Sequence, residues 1–350
     1  MPKARSKRRL PVTLQHSPAK GICNVAQAVV PPIHVAGHKK VVMDMSGVST
    51  VSRERLGKSS AETRRRINRF HTLIKEQTKL VARRNKEGSV ESHAQIQEMI
   101  DRLLQEMAQM GGLDWYQKAS LLGQCKQRGG DTSRWLVPKL NELGFGKDRK
   151  GIRLRLLDVG ALSSLNYVKE RQWIDVVPID LNPQEPGIHK QDLLDIDPAN
   201  LSSGALSADS TNTVVESGDS EDEDDGISQL FTQPFDIVCL SLVINFIGDP
   251  VRRGDMLKQA GRLLDAGGLL FVVLPLPCIT NSRYFDDERL LAITQHMGFK
   301  QLHAHHTAKL AYYLYRLESA GLLAETQSEL RFKKQLLHPE AGRNNFSIAV

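Results

Sequence analysis

Short apolar runs separated by helical patterns dominate the second half of the chain. Four runs predict strands at residues 153–159, 174–179, 235–240 and 269–274, since each is short, apolar and bounded by turn residues. The stretches between them predict helices. One helix is expected to begin at Asp249-Pro250, a cap followed by a first-turn proline, and to stop at Gly267-Gly268. Strands that alternate with helices predict an α/β fold, a doubly wound and mostly parallel sheet covered on both faces.

The region ahead of these strands has the period of amphipathic helices. Ser59-Ser60-Ala61-Glu62 is a capping box, and the stripe that follows it consists of Ile67, Phe70, Ile74 and Val81. A second stripe ends at Gly111-Gly112 and consists of Ile96, Met99, Ile100, Leu103, Leu104 and Met107. We expect the two stripes to form a core between two helices. A further helix, a glycine turn and a helix starting near Asp131 should then lead to the first strand.

Cations line the opposite face of the first predicted helix. They are Arg64, Arg65, Arg66, Arg69, Lys75 and Lys79. We expect this face to remain in solvent or to meet RNA.

Two segments predict no folded core. Residues 1–58 mix Lys/Arg clusters with Pro and Ser and lack periodicity, which is typical of a disordered basic arm. Residues 202–229 hold eight acidic residues and no Lys or Arg, which predicts a disordered acidic loop. Its serines ahead of acidic residues fit either an acid-directed kinase or a plain linker. The chain therefore divides into the arm, a helical region at 59–150, and a Rossmann-like domain at 151–350 that contains the loop.

Positive charge is concentrated at the front of the chain. The net charge is +7, and the first 90 residues hold 20 Lys/Arg against 5 Asp/Glu, a net +15 that leaves −8 for the rest. Such an arm suits nuclear import or contact with RNA phosphates. A tail that only improves solubility is the alternative.

Other bulk features exclude several classes of protein. The chain has no apolar run of about 18 residues and no secretory leader at its basic start, so we expect a soluble, unsecreted protein without a membrane partner. The cysteines lack zinc-site spacing, which predicts a reducing compartment and no metal; they are Cys23, Cys125, Cys239 and Cys278. His303, His305 and His306 crowd together, and a solvated strand edge explains them better than a metal site.

The main chemical signal is a strand that ends in an acid and a glycine turn. Leu156-Leu157-Asp158-Val159-Gly160 places Gly160 where a ligand can approach backbone amides, although a purely structural turn is also compatible. Twenty residues later the second strand ends in Asp180, where a carboxylate can accept both ribose hydroxyls of an adenosine. A dinucleotide fingerprint would need glycine at Leu162 and Leu165. S-adenosylmethionine has no phosphate, so the pattern favours this methyl donor over NAD.

Three further positions are candidates for the same site. Asp192 follows the third predicted strand and could accept a hydrogen bond from the adenine amine, with helix capping as the alternative. Leu193 would offer its backbone amide to the ring. Ser241 ends the fourth strand, above the middle of the sheet, where the methyl group should lie. No catalytic residue can be assigned beyond Asn245, a candidate to hold the substrate edge.

Several sequence blocks together resemble one family. They are Tyr116-Gln117-Lys118-Ala119-Ser120, Arg128-Gly129-Gly130-Asp131, Leu157-Asp158-Val159-Gly160, Ile179-Asp180-Leu181-Asn182, Gln191-Asp192-Leu193-Leu194, Ser241-Leu242-Val243-Ile244-Asn245-Phe246, Arg253-Gly254-Asp255-Met256-Leu257, Leu274-Pro275-Leu276-Pro277-Cys278, Asn281-Ser282-Arg283-Tyr284 and Lys309-Leu310-Ala311-Tyr312. The resemblance covers residues 60–350 and is to the fungal 25S (large-subunit) ribosomal RNA adenine-N1-methyltransferases, whose animal relatives are S-adenosylmethionine sensors. Relative to the family pattern, the acidic loop looks like an insertion.

This resemblance implies a class I S-adenosylmethionine-dependent methyltransferase of the nucleus and nucleolus. Its partner would be ribosomal RNA or a pre-ribosomal particle, and the cofactor would bind through Gly160 and Asp180. Adenine N1 carries an in-plane lone pair, so the reaction needs no strong general base. Asn245 could then hold the adenine edge and Tyr284 or Phe246 could stack on it, with ordinary packing as the alternative for each.

Three other functions remain open from the sequence. A sensor protein could bind S-adenosylmethionine in the same pocket without catalysis, although the basic first 90 residues favour RNA. A methyltransferase for another RNA or for a protein is also possible. Pro277-Cys278 is typical of enzymes that attack a pyrimidine carbon covalently, but a second placed cysteine is missing, which favours a buried structural Cys278.

Overall fold

A computed structural model of the protein describes residues 60–85, 90–123, 131–145, 153–201, 229–318 and 331–350. The basic arm and nearly all of the acidic loop expected from the sequence lie outside these residues. The described residues fall into two compact units, a helical unit that ends before Gly130 and a sheet unit from Asp131 to Val350. The domain boundaries at 59 and 151 stay predictions. The helix Ser133–Glu142 (α4), which precedes the second boundary, belongs to the sheet unit.

Three helices make up the helical unit: α1 (Ser60–Arg84), α2 (Val90–Gln109) and α3 (Gly112–Gly123). Both apolar stripes contribute to its core, whose buried members are Phe70, Leu73, Ile96, Ile100, Trp115, Tyr116 and Ala119. Phe70 stacks on Tyr116 with ring centroids 5.2 Å apart. Met99 is 48% exposed, so its assignment to the core is wrong: it lies on the outer side of a helix whose Ile96 and Ile100 already face the partner helices.

The basic face of α1 is also only partly as expected. The Arg66 guanidinium lies 4.2 Å over the Trp115 ring and donates to Met110 O at 2.9 Å. Arg69 forms a two-pronged ion pair with Glu106 of α2, both bonds 2.7 Å long. Arg66, which was expected to face solvent or RNA, is therefore half-buried within the helical unit, whereas Arg69 stays exposed as expected while it pairs with Glu106. Arg65 is exposed.

The sheet unit contains seven strands in the order β3-β2-β1-β4-β5-β7-β6. The strands are β1 (Leu154–Val159), β2 (Ile174–Asp180), β3 (His189–Lys190), β4 (Phe235–Ser241), β5 (Leu264–Pro275), β6 (Phe299–His306) and β7 (Leu310–Leu317). The first five are parallel, and β7 runs antiparallel to both β5 and β6. The four predicted strands and the doubly wound, mostly parallel sheet are confirmed.

Helices cover both faces of this sheet, which explains why its strands read as continuous apolar runs. On one face α4 (Ser133–Glu142) buries Leu136 and Leu140 against β1 and β4. On the other face lie α5 (Pro250–Leu263) and α7 (Asp287–His296), with the short α6 (Leu276–Thr280) after β5.

The C-terminal segment closes the face that α5 covers. Phe346, Ile348, Ala349 and Val350 are buried there. Arg253 of α5 donates to Ser347 O at 2.5 Å, and its guanidinium lies over the Phe346 ring. Burial lowers the pKa of Arg253 to about 10. The segment is therefore part of the core.

One predicted helix boundary is wrong, and one predicted helix is not formed. α5 begins as expected, with Asp249 capping Val251 N, but it ends at Leu263 and not at Gly267-Gly268. Leu264 is already extended and pairs with Phe235, so cross-strand pairing ends the helix early. The helix expected between β1 and β2 is not formed. Residues 164–173 instead make successive turns, which are closed by hydrogen bonds between residues three apart, such as Glu170 N to Tyr167 O. No helix among the described residues is long and apolar enough to cross a membrane.

Candidate active site

The turn after β1 forms the floor of the candidate site. Gly160 N and Ala161 N both donate to Ile179 O of β2, at 2.8 and 3.0 Å. Gly160 has a φ of +70°, and a Cβ built there would lie 2.8 Å from Val243 Cγ2. Only glycine adopts this conformation without strain, and its missing Cβ lets the Val243 side chain pack directly against the turn. The predicted glycine turn at the carboxyl edge of the sheet is confirmed, while its ligand stays a prediction.

Asp180 ends β2 beside this turn. One of its carboxylate oxygens accepts from Asn182 N at 2.7 Å, and its backbone oxygen accepts from Gln191 N at 3.1 Å. Burial raises the pKa of the carboxyl above its ordinary value. The second bond ties β2 to the segment that holds Asp192 and Leu193, so these predicted positions share one edge of the sheet.

Asp192 caps the short 3₁₀ turn Leu193–Asp195. Its Oδ1 accepts from Leu194 N at 3.0 Å, and its Oδ2 lies 3.7 Å from Arg252 of α5. The capping alternative is therefore confirmed, and a role toward adenine remains a prediction. Leu193 is buried, and as the first residue of the turn its N–H has no partner within the turn.

Ser241 ends β4 and connects to the helix that precedes the sheet. Its hydroxyl lies 2.9 Å from the Thr132 hydroxyl at the start of α4. The next residue, Leu242, has a φ of +59°, the only left-handed residue besides glycines in the described part of the chain. Its N–H donates to Val273 O of β5 at 2.9 Å. A strained backbone held in this way is typical of functional edges, because the surrounding structure must fix it.

Asp158 lies beneath the Gly160 turn and is almost completely buried, with 6% of its surface exposed. Asn166 Nδ2 donates to its carboxyl at 3.1 Å. Burial raises the pKa of Asp158 to about 7, the bond from Asn166 opposes this shift, and the nearby Asp131 adds to it. Asp131 accepts hydrogen bonds from the backbone N–H and the hydroxyl of Ser133. The site therefore concentrates acidic groups in a poorly solvated region.

The loop after β4 contributes a buried amide without a partner. Asn245 lies in the 3₁₀ turn Ile244–Phe246. Its Oδ1 is buried and accepts no hydrogen bond from any residue that the structure describes. An orphaned acceptor of this kind costs roughly 1–3 kcal/mol, so it calls for an explanation such as a ligand. The predicted stacking candidate Tyr284 has Lys334 Nζ 4.1 Å from its ring centroid.

Cys278 is only half-buried and packs against the core that α5 and α7 cover. The expectation of a fully buried structural cysteine is therefore too strong, because α6 places this residue at the rim of the sheet.

The sequence did not single out the residues at the start of α4 as part of the site. Asp131, Thr132 and Ser133 meet β1 and β4 through Asp158, Asn166 and Ser241. In the sequence these residues form a run of glycine, acidic and hydroxyl residues. Such a run predicts the start of a helix, but it does not predict where that helix lies over the sheet.

Comparisons with known proteins place the chain among methyltransferases. The family model described as 25S rRNA (adenine(2142)-N(1))-methyltransferase, Bmt2, matches residues 101–203 and 226–348. The gap between the two matched ranges falls within the acidic loop predicted at residues 202–229. The 25S rRNA (adenine(2142)-N(1))-methyltransferase of Saccharomyces cerevisiae is 31% identical over 284 residues, 81% of this chain and 71% of that protein. The 25S rRNA adenine-N(1) methyltransferase of Schizosaccharomyces pombe is 32% identical over 292 residues, 81% of this chain and 89% of that protein.

Similarity to solved structures is weaker. The N-methyltransferase NodS from Bradyrhizobium japonicum WM9 in complex with S-adenosyl-l-homocysteine is 12% identical, with a TM-score of 0.34 over 56% of this chain and 93% of that chain. An S-adenosylmethionine-dependent methyltransferase from Clostridium acetobutylicum is 11% identical, with a TM-score of 0.37 over 57% of this chain and 98% of that chain. The fold assignment rests on the strand order, and the family on the sequence matches: the chain belongs to the Bmt2 family of 25S rRNA (adenine(2142)-N(1))-methyltransferases.

Proposed function

We propose that this protein binds S-adenosylmethionine at the carboxyl edge of β1, β2 and β4 and methylates N1 of an adenine in large-subunit ribosomal RNA. The observation that supports this most strongly is the glycine turn at Gly160, which has a φ of +70° and lies at the carboxyl ends of β1 and β2 beside Asp158 and Asp180, two acids whose carboxyl pKa values are raised by burial. Membership of the family supplies the reaction class. The proposed cofactor residues are Gly160, Asp180, Asp192, Leu193 and Ser241.

The residues at this edge suit the chemical groups of S-adenosylmethionine. Asp180 follows a parallel strand and can accept the two ribose hydroxyls. The half-buried Asp131 carboxylate, which lies near the buried Asp158, would favour the ammonium group of the methionine part. The amides of the Gly160 turn already donate to Ile179 O, so the turn would contribute close approach to its backbone and not free hydrogen-bond donors. The bound cofactor would supply an electrophilic methyl group on sulfur.

Transfer to adenine N1 requires orientation and not deprotonation, because N1 has an in-plane lone pair. Asn245 Oδ1, an acceptor that lacks a partner in the described structure, can accept from the exocyclic amine next to N1. This bond would hold N1 in line with the methyl group. Asn245 thus becomes the proposed orienting residue, with no general base required.

The proposed location is the nucleus and nucleolus. Support comes from the net charge of +15 on the first 90 residues, which suits import and RNA contact. Ribosomal RNA, or a pre-ribosomal particle containing it, is the proposed partner. A fusion to a fluorescent protein with and without residues 1–58 tests the location, and loss of nucleolar signal on truncation is the expected result.

Gly160→Arg and a matched glycine variant test the site. Gly160→Arg should abolish both S-adenosylmethionine binding, measured by calorimetry, and transfer of labelled methyl to ribosomal RNA from cells that lack the protein. Gly267→Arg is the control, because Gly267 also has a positive φ of +77° but lies near the amino end of β5, where an added Cβ would have nothing within 4 Å.

Mapping of N1-methyladenosine in the product RNA reports the target atom. A folded Gly160→Arg protein that still binds cofactor would place the pocket elsewhere. Wild-type protein that binds cofactor but never modifies ribosomal RNA would refute the proposed substrate.

A further inference from the structure

Four aromatic side chains lie together on one face of the sheet, next to the candidate site. They are Trp135 of α4, His303 and His305 of β6, and Tyr312 of β7, here called the aromatic platform. The Trp135 ring lies 5.4 Å from Tyr312 at an interplanar angle of 27°, and 6.5 Å from His305 at 16°. His303 meets Trp135 edge-on at 6.3 Å. The His305 and Tyr312 rings are inclined to each other by 40°. The platform therefore combines rings from three elements, with Trp135 close to parallel with two of them.

The platform is fixed from below and joined to the site. Trp135 stacks on the buried Phe271 of β5, with centroids 5.6 Å apart and planes 8° apart. Tyr312 pairs with Val273, and Val273 pairs with Ser241 across the sheet. Thr132, one helical turn before Trp135, lies within hydrogen-bonding distance of Ser241. Tyr312 thus lies two strands away from Ser241, the residue above which the methyl group is proposed to lie, with β5 between them.

The outer part of the platform is open. His305 is exposed, whereas Trp135, Tyr312 and His303 are half-buried. Two exposed cations are near it along the chain: Arg134 precedes Trp135 on α4, and Lys309 lies in the turn between β6 and β7, which carry the other platform residues. Asp287 bonds to His306 and Tyr313 on the opposite face. Asp131 bonds to Ser133 and also lies near the platform, where burial and this acid raise the pKa of Tyr312.

We propose that the aromatic platform stacks an unpaired base of the substrate RNA, next to the adenine that enters the site. This inference rests on the proposed function. Flat rings accept any base because every base has a π face, and Arg134 and Lys309 can meet the adjoining phosphates. A folded protein substrate would have no comparable use for open rings flanked by two cations, so single-stranded RNA is the partner that fits.

Two neighbouring histidines provide the test. His305→Ala in the full chain removes an exposed ring of the platform, and His306→Ala removes the same side chain from the opposite face of the same strand. The probe is a short single-stranded oligoadenylate, measured by filter binding at several salt concentrations. We expect His305→Ala to weaken binding about tenfold and His306→Ala to leave it unchanged. His305→Tyr should restore affinity because it restores a ring.

The salt dependence separates stacking from charge. His305→Ala should lower the affinity without changing the slope against salt, whereas Arg134→Gln with Lys309→Gln should flatten that slope. In methylation assays the KM for RNA should rise with His305→Ala, while S-adenosylmethionine affinity stays unchanged. If the two alanine variants weaken RNA binding equally, or if His305→Ala flattens the dependence of RNA affinity on salt, base stacking on the platform is refuted. This holds even if the wild type methylates ribosomal RNA. Absence of methylation by the wild type would instead refute the proposed function.

Discussion

Replacing Asp158 by Asn changes a carboxyl that lies inside the sheet without changing its shape. Asp158 is next to last in β1, between Pro178 of β2 and Cys239 of β4. Asn166 Nδ2 donates a hydrogen bond to this carboxyl at 3.1 Å. Burial nevertheless dominates its electrostatics and raises the pKa to about 7. In the unfolded chain the same group has a pKa of about 3.9.

The sign of the pH effect follows from these two values. Because the folded state binds the proton more tightly, the stability from this group is complete below about pH 4 and is lost as the pH rises through about 7. A difference of about three pKa units corresponds to a limit of about 4 kcal/mol. Between about pH 5.5 and about pH 8.5 the loss amounts to about 2 kcal/mol.

Urea denaturation at several pH values measures this loss. Wild type and Asp158→Asn share every other titrating group, so the difference in their free energies of unfolding isolates Asp158. As the pH rises from about 5.5 to about 8.5, we expect the free energy of unfolding of the wild type to fall by about 2 kcal/mol relative to that of the variant. Asp175→Asn is the control, because Asp175 lies on β2, is exposed, and pairs with Arg153 at 3.3 Å. A constant difference between wild type and Asp158→Asn would refute the assignment of a buried, nearly neutral carboxyl beneath the site.

Four other outcomes are expected. Asp180→Ala should weaken S-adenosylmethionine binding by about 1.5–3 kcal/mol in calorimetry, with unchanged thermal stability of the apoprotein, and unchanged affinity would exclude this carboxylate from the site. Gly254→Ala should lower the free energy of unfolding by at least about 1–3 kcal/mol, because the new Cβ would lie 2.0 Å from Ala349 O; wild-type stability would mean that the C-terminal segment is not packed there. Burial lowers the pKa of His71 to about 4, so stability should fall as the pH drops below about 6.5, by up to about 3 kcal/mol, and denaturation of His71→Phe should lack this dependence. Deletion of residues 1–58 should flatten the salt dependence of RNA affinity by about 0.7–0.9 per lost phosphate contact, and an unchanged slope in filter binding would leave the arm a role in import or solubility.

The helical unit shows how charge patterns can mislead. Arg66 and Arg69 belong to a basic stripe in the sequence, yet one lies over Trp115 and the other pairs with Glu106. Arg66 is 49 residues from Trp115, and Arg69 is 37 residues from Glu106. Helical periodicity alone therefore could not reveal these contacts. A charge-neutralising variant for RNA binding should therefore use Arg65, which is exposed, and leave the other two intact.

The sequence by itself determined the sheet and the location of its functional edge. Apolar runs buried on both faces, a glycine after β1 and an acid after β2 are local signals, because strand burial and positive φ restrict which residues are allowed. Local pattern alone therefore places Gly160 and Asp180 at one edge, since the carboxyl ends of parallel strands meet there. The early end of α5 could not be found in this way, because it depends on the pairing of Leu264 with Phe235.

Only the tertiary structure decided what surrounds that edge. Thr132 reaches Ser241 across 109 residues, and Trp135 meets Tyr312 and His305 from strands more than 160 residues away. The elevated pKa of Asp158 likewise arises from burial by β2 and β4 and from the approach of Asp131. Such effects depend on distance in space and on exclusion of water, and neither is recorded in the order of residues along the chain.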